Sequence, residues 1–214
     1  ANWGREVRAL GFDAWLARAR PNAQARLHMH SGWHAGAALR KCPTEMALRL
    51  PDDAVRIEVC ARLGVKLCRE GKCGLRFLRS GRRCKDRRRG GDHVHCCKGT
   101  VGARTRYRHN PLAGEFHRFL GQAGRFVEVE QRDPTMGANA RLDIVEYASS
   151  EGGPASYDVS VVTALRKSRT FVQACARDPG HAARVAHARK LDVQYASRLP
   201  GSRLVPLVVE VGGR

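Results

Sequence analysis

The chain of 214 residues is strongly basic, with 39 Lys and Arg against 20 Asp and Glu and a formal net charge of +19. A hydrophobic content of 43% is sufficient for a packed core and argues against a wholly disordered chain. Since no stretch approaches the roughly 20 apolar residues that a bilayer crossing needs, we expect no membrane partner.

The positive charge indicates the class of partner. Arginine far outnumbers lysine, and its planar guanidinium suits bidentate contacts to phosphate. Such a charge favours association with nucleic acid through counterion release. The expected partner is therefore DNA, RNA or both, because contacts to phosphate do not distinguish them well. An alternative is that a GC-rich gene has raised the arginine and alanine content.

Residues 1–65 form the first predicted segment, a helical lead-in. EVRALGFDAWLARAR carries apolar residues at helical spacing, and Pro21 is expected to end that helix. LPDDAVRIEVCARLG predicts a second helix that ends at Gly64. The chain begins in mid-pattern without a Met or a signal-peptide core, so we expect a fragment of a longer protein.

Residues 66–104 form the second predicted segment, a zinc knuckle. The chain has eight cysteines and no secretion signal, which favours reduced thiols and metal ligation over disulfides. Two close pairs separated by a longer loop suit a tetrahedral zinc site. The predicted ligands are Cys68, Cys73, His93 and Cys97.

The ligand set has competitors. Cys84, His95 and Cys96 could replace members of the predicted four, and a set of free thiols is the alternative to any metal site. The remaining cysteines fall in helical patterns and are expected to be small core residues; they are Cys42, Cys60 and Cys175.

A densely basic run, RFLRSGRRCKDRRRGG, lies between the two ligand pairs. We interpret it as a nucleic-acid contact through Arg87, Arg88 and Arg89 that the metal makes rigid. The alternative is a solvated surface loop.

Residues 105–214 form the third predicted segment, in the order helix, strand, strand, strand, helix, strand. Asn110 and Pro111 are expected to start the helix. The strands are FVEVE, LDIVEY, YDVSVV and LVPLVVEVGG, and a long helix interrupted near Pro179 precedes the last. The pattern predicts an α/β (α+β) fold, a short mixed sheet flanked by helices.

Two isolated acids, Asp143 and Asp158, lie on neighbouring apolar strands, and Lys190 follows on a helix. An unpaired acid is costly to bury, so the two carboxylates are predicted to bind Mg²⁺. Lys190 would orient the attacking water or stabilise the transition state. Lys167 could take that role instead, and Glu115 could add a further acid. The competing interpretation pairs the acids with arginines, namely Arg141, Arg166 and Arg169.

In this order the motifs resemble the restriction-like endonuclease region of non-LTR retrotransposon reverse-transcriptase proteins, within the PD-(D/E)xK nuclease superfamily. The resemblance covers about residues 45–214 and is carried by Cys68, Cys73, Gly91-Asp92-His93, Cys97, Arg108-His109-Asn110, Arg141-Leu142-Asp143, Asp158, Lys190 and PLVVEVGG. It implies a restriction-endonuclease-like core after a CCHC zinc knuckle. The chain departs from the family pattern where Leu142 replaces the expected proline, where Ser160 replaces a lysine and where Gly114 precedes Glu115.

The resemblance implies a nickase whose cut primes copying by a reverse transcriptase domain of the same polyprotein, in the nucleus. The catalytic residues would be Asp143, Asp158, Lys190 and Glu115, with structural Zn²⁺ and catalytic Mg²⁺ as cofactors. Arg108, His109 and Arg141 are the further candidates for phosphate contacts. The alternative is an inactive, domesticated nucleic-acid-binding protein that serves as a structural part of a ribonucleoprotein. A third possibility is a zinc-dependent interaction module with an incidental basic surface.

Overall fold

The computed structural model describes residues 11, 14, 16–31, 52–69, 71–77, 80–86, 89–129, 142–149, 153–166, 168–194 and 203–211. Within these ranges the chain is a mixed α/β structure with a four-stranded mixed sheet and helices, as the sequence predicts. Among these helices, none is both long and apolar enough to span a bilayer.

The helices and strands follow the predicted order. The helices are α1 (Pro21–Met29), α2 (Asp52–Leu63), α3 (Val101–Arg104), α4 (Asn110–Gln122), α5 (Arg169–Arg177) and α6 (His181–Arg189). The strands are β1 (Val127–Val129), β2 (Ile144–Ser149), β3 (Gly153–Val162) and β4 (Arg203–Glu210). Short 3₁₀ helices span Arg89–His95 and Lys98–Thr100, and π-helical turns span Thr105–His109 and Lys190–Gln194.

The sheet has the strand order β1-β2-β3-β4. The first three strands pair antiparallel, whereas β4 pairs parallel to β3. A parallel neighbour requires a crossover connection, and α5 and α6 provide it. The crossover returns the chain to β3 and so brings the segment after α6 alongside the strand that carries Asp158.

The main hydrophobic core joins the first predicted segment to the third. Ala25 and Met29 of α1 are buried against Val172 and Cys175 of α5 and against Leu165, which follows β3. His28 adds a hydrogen bond from Nε2 to the carbonyl of Ala176 at 3.1 Å. The helical lead-in therefore shares a core with the sheet and its crossover helices.

The start of α1 differs from the sequence-based expectation. The described residues 16–18 are helical, and Pro21 then begins α1 rather than only ending the helix before it. Proline suits the first turn of a helix, where its missing N–H would have no partner. The second predicted helix is confirmed as α2, and Gly64 follows it with a φ of 73°.

Helix α4 begins at Asn110, as predicted, but Asn110 does not cap it, because the backbone before it is already helical. Helical backbone begins at Val101 and continues through a π-helical turn, in which the N–H of Asn110 bonds to the carbonyl of Thr105. A wider turn of this kind relieves the clash that Pro111 would cause with the preceding turn. The π turn also carries Arg108 and His109, two of the predicted contact residues.

The contact between α1 and α5 can be tested by removing one side chain. Met29 is 1% exposed, so Met29→Ala leaves a cavity and should lower the free energy of unfolding by about 2–5 kcal/mol in urea titrations. Val185→Ala on the exposed side of α6 is the control and should change it by less than about 0.5 kcal/mol. Equal effects of the two substitutions would contradict a core shared by α1 and α5.

Candidate metal centre and carboxylate site

A cluster of four metal-ligand side chains lies in the second predicted segment. Its members are Cys73, Cys84, His93 and Cys97, and their donor atoms all lie within 4.8 Å of one another. The Sγ atoms of Cys73 and Cys97 are 3.7 Å apart, and Sγ of Cys84 is 3.3 Å from Nε2 of His93. We call these four residues the Cys₃His cluster.

The spacing of the cluster suits zinc. Thiolates that lie about 2.3 Å from a tetrahedral zinc are about 3.8 Å apart, close to the separation of Cys73 and Cys97. Three sulfurs and an imidazole nitrogen also match the ligand types that zinc prefers. A metal ion such as zinc could therefore be held here, in the CCHC ligand order that the sequence predicts.

One ligand of the prediction is corrected, because Cys84 takes the place of Cys68 in the cluster. The cause is a hairpin in which Phe77 N–H donates to the carbonyl of Arg82 and Cys84 N–H to that of Leu75. The hairpin places Cys84 next to Cys73 across its two arms. Cys84 was a competing candidate, and a turn around Gly81, whose φ is 63°, is the signal that favours it.

The electrostatics of the cluster favour a bound cation. The pKa of the Cys97 thiol is raised to about 11, chiefly by burial and also by the neighbouring thiols of Cys73 and Cys84, against a hydrogen bond from Gly99 N–H. Crowding several thiols in a buried site is costly for their ionised forms. A divalent cation reverses that cost, since it binds thiolates and displaces their protons.

The Cys₃His cluster is tied to the rest of the chain on two sides. Arg104 of α3 donates to the carbonyls of His95 and Cys97, each at 3.1 Å. Arg26 of α1 pairs with Asp92 at 2.7 Å and donates to the carbonyl of Ala61 at 2.9 Å. These bonds hold the cluster against α3 of the same segment and against α1 of the first segment.

A second site lies where β2 meets β3. Ile144 pairs with Tyr157, so one step further along the register Asp143 lies opposite Asp158. Opposite residues of antiparallel strands share a face, with Cβ atoms about 4.5–5.5 Å apart. The two predicted acids therefore come together, and we call them the carboxylate pair.

Lys190 reaches the carboxylate pair from the crossover. Its Nζ forms an ion pair with Oδ1 of Asp158, and both side chains are about 90% buried. Placing two charges in a buried site is favourable only when they are well paired, and removal of one partner typically costs about 3–5 kcal/mol. The predicted convergence of Asp158 and Lys190 is therefore a specific, tightly packed contact.

Asp143 is held by two donors on one oxygen. Its Oδ2 accepts the backbone N–H of Val159 at 2.6 Å and Nε2 of His109 at 3.2 Å. Burial favours the neutral acid, but these hydrogen bonds outweigh it and lower the pKa of Asp143 below its usual value. The same carboxylate raises the pKa of His109. Asp143 is thus kept ionised, and His109 orients it in addition to lying in the predicted phosphate-contact motif.

Both basic residues of this site begin or end a π-helical turn. His109 is the last residue of one π turn and Lys190 is the first residue of the other. A π turn rotates the following side chains relative to an α-helix and is frequent at functional sites. Neither turn was predictable from the sequence pattern.

The other predicted site residues fall in different places. Glu115 is two-thirds exposed and accepts hydrogen bonds from Arg118, one turn along α4. Arg108 lines a cavity with His95 and His109. Arg141, Arg87 and Arg88 lie outside the described residues, as do Lys167 and Cys42, and Arg89 begins a 3₁₀ helix.

Sequence reasoning missed a buried acid on the other face of β2. Glu146 is 2% exposed, accepts the hydroxyl of Tyr157 at 2.6 Å and pairs with Arg125 at 3.1 Å. Its place three residues after Asp143 puts it on the opposite side of the strand. With an arginine and a tyrosine as partners, Glu146 is a structural acid that ties β2 to β3.

The chain was compared with family models, curated proteins and solved structures, and none of the three comparisons gave a match. The function of the chain is therefore inferred from the geometry of the two sites.

The corrected ligand set predicts different outcomes for two cysteine substitutions. Cys84→Ser removes a ligand and should reduce the zinc content well below about one ion per chain, whereas Cys68→Ser should leave it unchanged. Elemental analysis after dialysis against trace zinc measures both. Loss of zinc in Cys68→Ser together with retention of zinc in Cys84→Ser would show that Cys68, and not Cys84, is the ligand.

The contact between His109 and Asp143 predicts a pH-dependent stability. The pKa of His109 is raised above 6.5 in the folded chain, so its stabilisation is complete below that pH and is lost as pH rises through the folded pKa. His109→Gln should therefore cost more free energy of unfolding at about pH 5.5 than at about pH 8.5, by roughly 1 kcal/mol. Asp143 stays ionised across this window because its folded pKa is lowered.

Urea titrations of both proteins at the two pH values measure this difference. The same substitution at His187, an exposed residue of α6, controls for the loss of a titratable group. A cost of His109→Gln that is equal at both pH values would contradict the proposed ion pair.

Proposed function

We propose that the chain is a Mg²⁺-dependent DNA endonuclease that nicks one strand, in a core of the restriction-endonuclease type. The observation that carries the proposal is the ion pair of Lys190 with Asp158, opposite Asp143. Two acids and a lysine at the meeting point of two strands are the groups that metal-assisted phosphodiester cleavage needs.

The topology supports the finer fold assignment. Helix α4 precedes three antiparallel strands, and a helical crossover then adds a parallel fourth strand beside β3. This is the arrangement expected for the family that the sequence resembles. The Cys₃His cluster precedes it, as the zinc knuckle of that family does.

The donor set fits Mg²⁺. This ion takes oxygen ligands, usually one or two carboxylates together with water. Both contacts of Asp143 fall on Oδ2, and within the described part of the chain no contact is found on its Oδ1. Oδ1 of Asp143 and the carboxylate of Asp158 are thus the oxygens that would hold the ion. When bound, Mg²⁺ would lower the pKa of a water and neutralise charge on the phosphate.

The side chains of the site have separate tasks in this proposal. Asp143 and Asp158 would hold the ion, while His109 and Val159 N–H fix the orientation of Asp143. Lys190, which pairs with Asp158, would donate a hydrogen bond to the attacking water or to the phosphate. Water adds to phosphorus, the bond to the 3′ oxygen breaks, and that oxygen leaves as a 3′ hydroxyl.

A free 3′ hydroxyl is the group that a polymerase extends. Together with the resemblance, this supports a retrotransposon origin in which the chain works beside a reverse transcriptase domain in the nucleus. The net charge of +19 would hold the DNA through its phosphates.

A non-catalytic role is the second candidate. One observation favours it, since each carboxylate already has a cationic or cationisable partner, Lys190 for Asp158 and His109 for Asp143. Pairs of this kind can serve a purely structural purpose. The chain would then be a nucleic-acid-binding part of a ribonucleoprotein.

Nicking of supercoiled plasmid separates the two candidates. With Mg²⁺, the wild type should convert supercoiled to open-circular DNA, and Asp143→Asn or Asp158→Asn should slow it by at least about 100-fold. Glu115→Gln should remain within about two-fold of wild type, because Glu115 is exposed and bound to Arg118.

The controls distinguish loss of chemistry from loss of folding. Thermal melts and retention of labelled DNA are recorded for every variant, since an unfolded protein would fail in all three measurements. Equal DNA retention without nicking by any protein, wild type included, supports the structural role and contradicts the endonuclease.

A further inference from the structure

A cavity adjoins the carboxylate pair on the side of the Cys₃His cluster. It has a volume of about 210 Å³ and is half open to solvent. Its walls come from three places in the chain: His95 from the knuckle, residues of α3 and the π turn, and Ser160 and Val161 from β3. The cavity therefore lies at the junction of the second and third predicted segments.

The cavity is lined by basic and polar side chains. Arg104, Arg108 and His109 line it, and His95 and Ser160 add a neutral imidazole and a hydroxyl. The hydrogen bonds of Arg104 go to the carbonyls of His95 and Cys97, so neither of its partners is a carboxylate. A partly open cavity with two guanidinium groups and a hydroxyl is suited to a phosphate oxyanion.

The cavity also stands in a fixed relation to the carboxylate pair. Ser160 follows Asp158 by two residues on β3, so both side chains lie on the same face of the strand. His109 lines the cavity and contacts Asp143 through Nε2. A phosphate of the nucleic-acid backbone bound in the cavity would therefore lie next to a second phosphate bound at the carboxylate pair.

One wall of the cavity is formed by residues next to the Cys₃His cluster. His95 lies between the cluster residues His93 and Cys97, and Arg104 is anchored to the carbonyls of His95 and Cys97. Nε of Arg104 is buried without a hydrogen bond among the described residues. Any change in the path of residues 93–97 therefore moves Arg104 and His95 directly.

We propose that this cavity is a seat for one phosphate of the nucleic-acid backbone, next to the scissile one, and that the metal of the Cys₃His cluster holds it in shape. The proposal rests on the proposed function for the identity of the neighbouring scissile phosphate. The seat itself, its residues and its coupling to the metal depend only on the geometry of the cavity. The Cys₃His cluster would thus determine which phosphate of the bound nucleic-acid strand lies at the carboxylate pair.

The experiment measures binding without cleavage. Fluorescein-labelled DNA duplex and RNA of the same sequence are titrated by anisotropy in buffer without Mg²⁺. Arg108→Gln should weaken both by about ten-fold and reduce the slope of log K against log salt by about 1. Ser160→Ala should weaken both by about two- to five-fold, as expected for one neutral hydrogen bond.

A matched variant controls for the loss of one charge. Arg56→Gln removes an exposed guanidinium of α2 that pairs with Asp53, and it should change the affinity by less than about two-fold. An effect of Arg108→Gln no larger than that of Arg56→Gln overturns the phosphate seat. An effect limited to DNA or to RNA also overturns it, since a phosphate contact is common to both.

The coupling to the metal is tested by repeating the titrations on zinc-depleted protein. Depletion should weaken binding by at least as much as Arg108→Gln, and the substitution should then have little further effect. Circular dichroism checks that the depleted protein retains its helices. If Arg108→Gln weakens binding by the same factor with and without zinc, the metal does not shape the phosphate site and that part of the proposal fails.

These results are separable from the test of catalysis. The anisotropy titrations contain no Mg²⁺ and so report binding alone, whereas nicking of plasmid with Mg²⁺ reports the carboxylate pair. If the wild type does not nick but Arg108→Gln still loses about ten-fold in affinity, the proposed function fails and the phosphate seat stands.

Discussion

Strand β3 is paired on both edges, antiparallel to β2 and parallel to β4, and the positions of the site residues follow from this double pairing. The register with β2 sets Asp143 opposite Asp158. The parallel neighbour requires the crossover through α5 and α6, which brings Lys190 to Asp158. A slip of one residue would turn Asp158 to the other face of the sheet, where Glu146 already takes part in a network with Arg125 and Tyr157.

Two clusters of buried charged side chains thus lie on opposite faces of one small sheet. Each is satisfied locally: Glu146 by an arginine and a tyrosine, Asp158 by a lysine, and Asp143 by a histidine and a backbone N–H. A buried charge is tolerated only with such partners. The face with Asp143 and Asp158 differs because His109, which contacts Asp143, also lines a basic cavity that is partly open to solvent.

Much of this arrangement was predictable from the sequence because it depends on local patterns. Alternating and β-branched runs predicted the four strands, and the lone acids within them predicted the pairing of Asp143 with Asp158. The ligand Cys84 was only a competing candidate, since its position depends on a hairpin turn rather than on close spacing. The π turns at His109 and Lys190 have no recognisable periodic pattern in the sequence. The packing of α1 on α5 joins residues far apart in sequence, which local patterns do not predict.

The packing of α1 has a consequence for how the chain can be divided. Ala25 and Met29 cover Leu165 and Val172, so a truncation starting at residue 105 would leave an apolar surface in water. Arg26, on the same helix, also reaches Ala61 and Asp92. The sheet and its crossover helices therefore complete their apolar core only with α1, and a shortened chain that keeps this core must begin before Pro21.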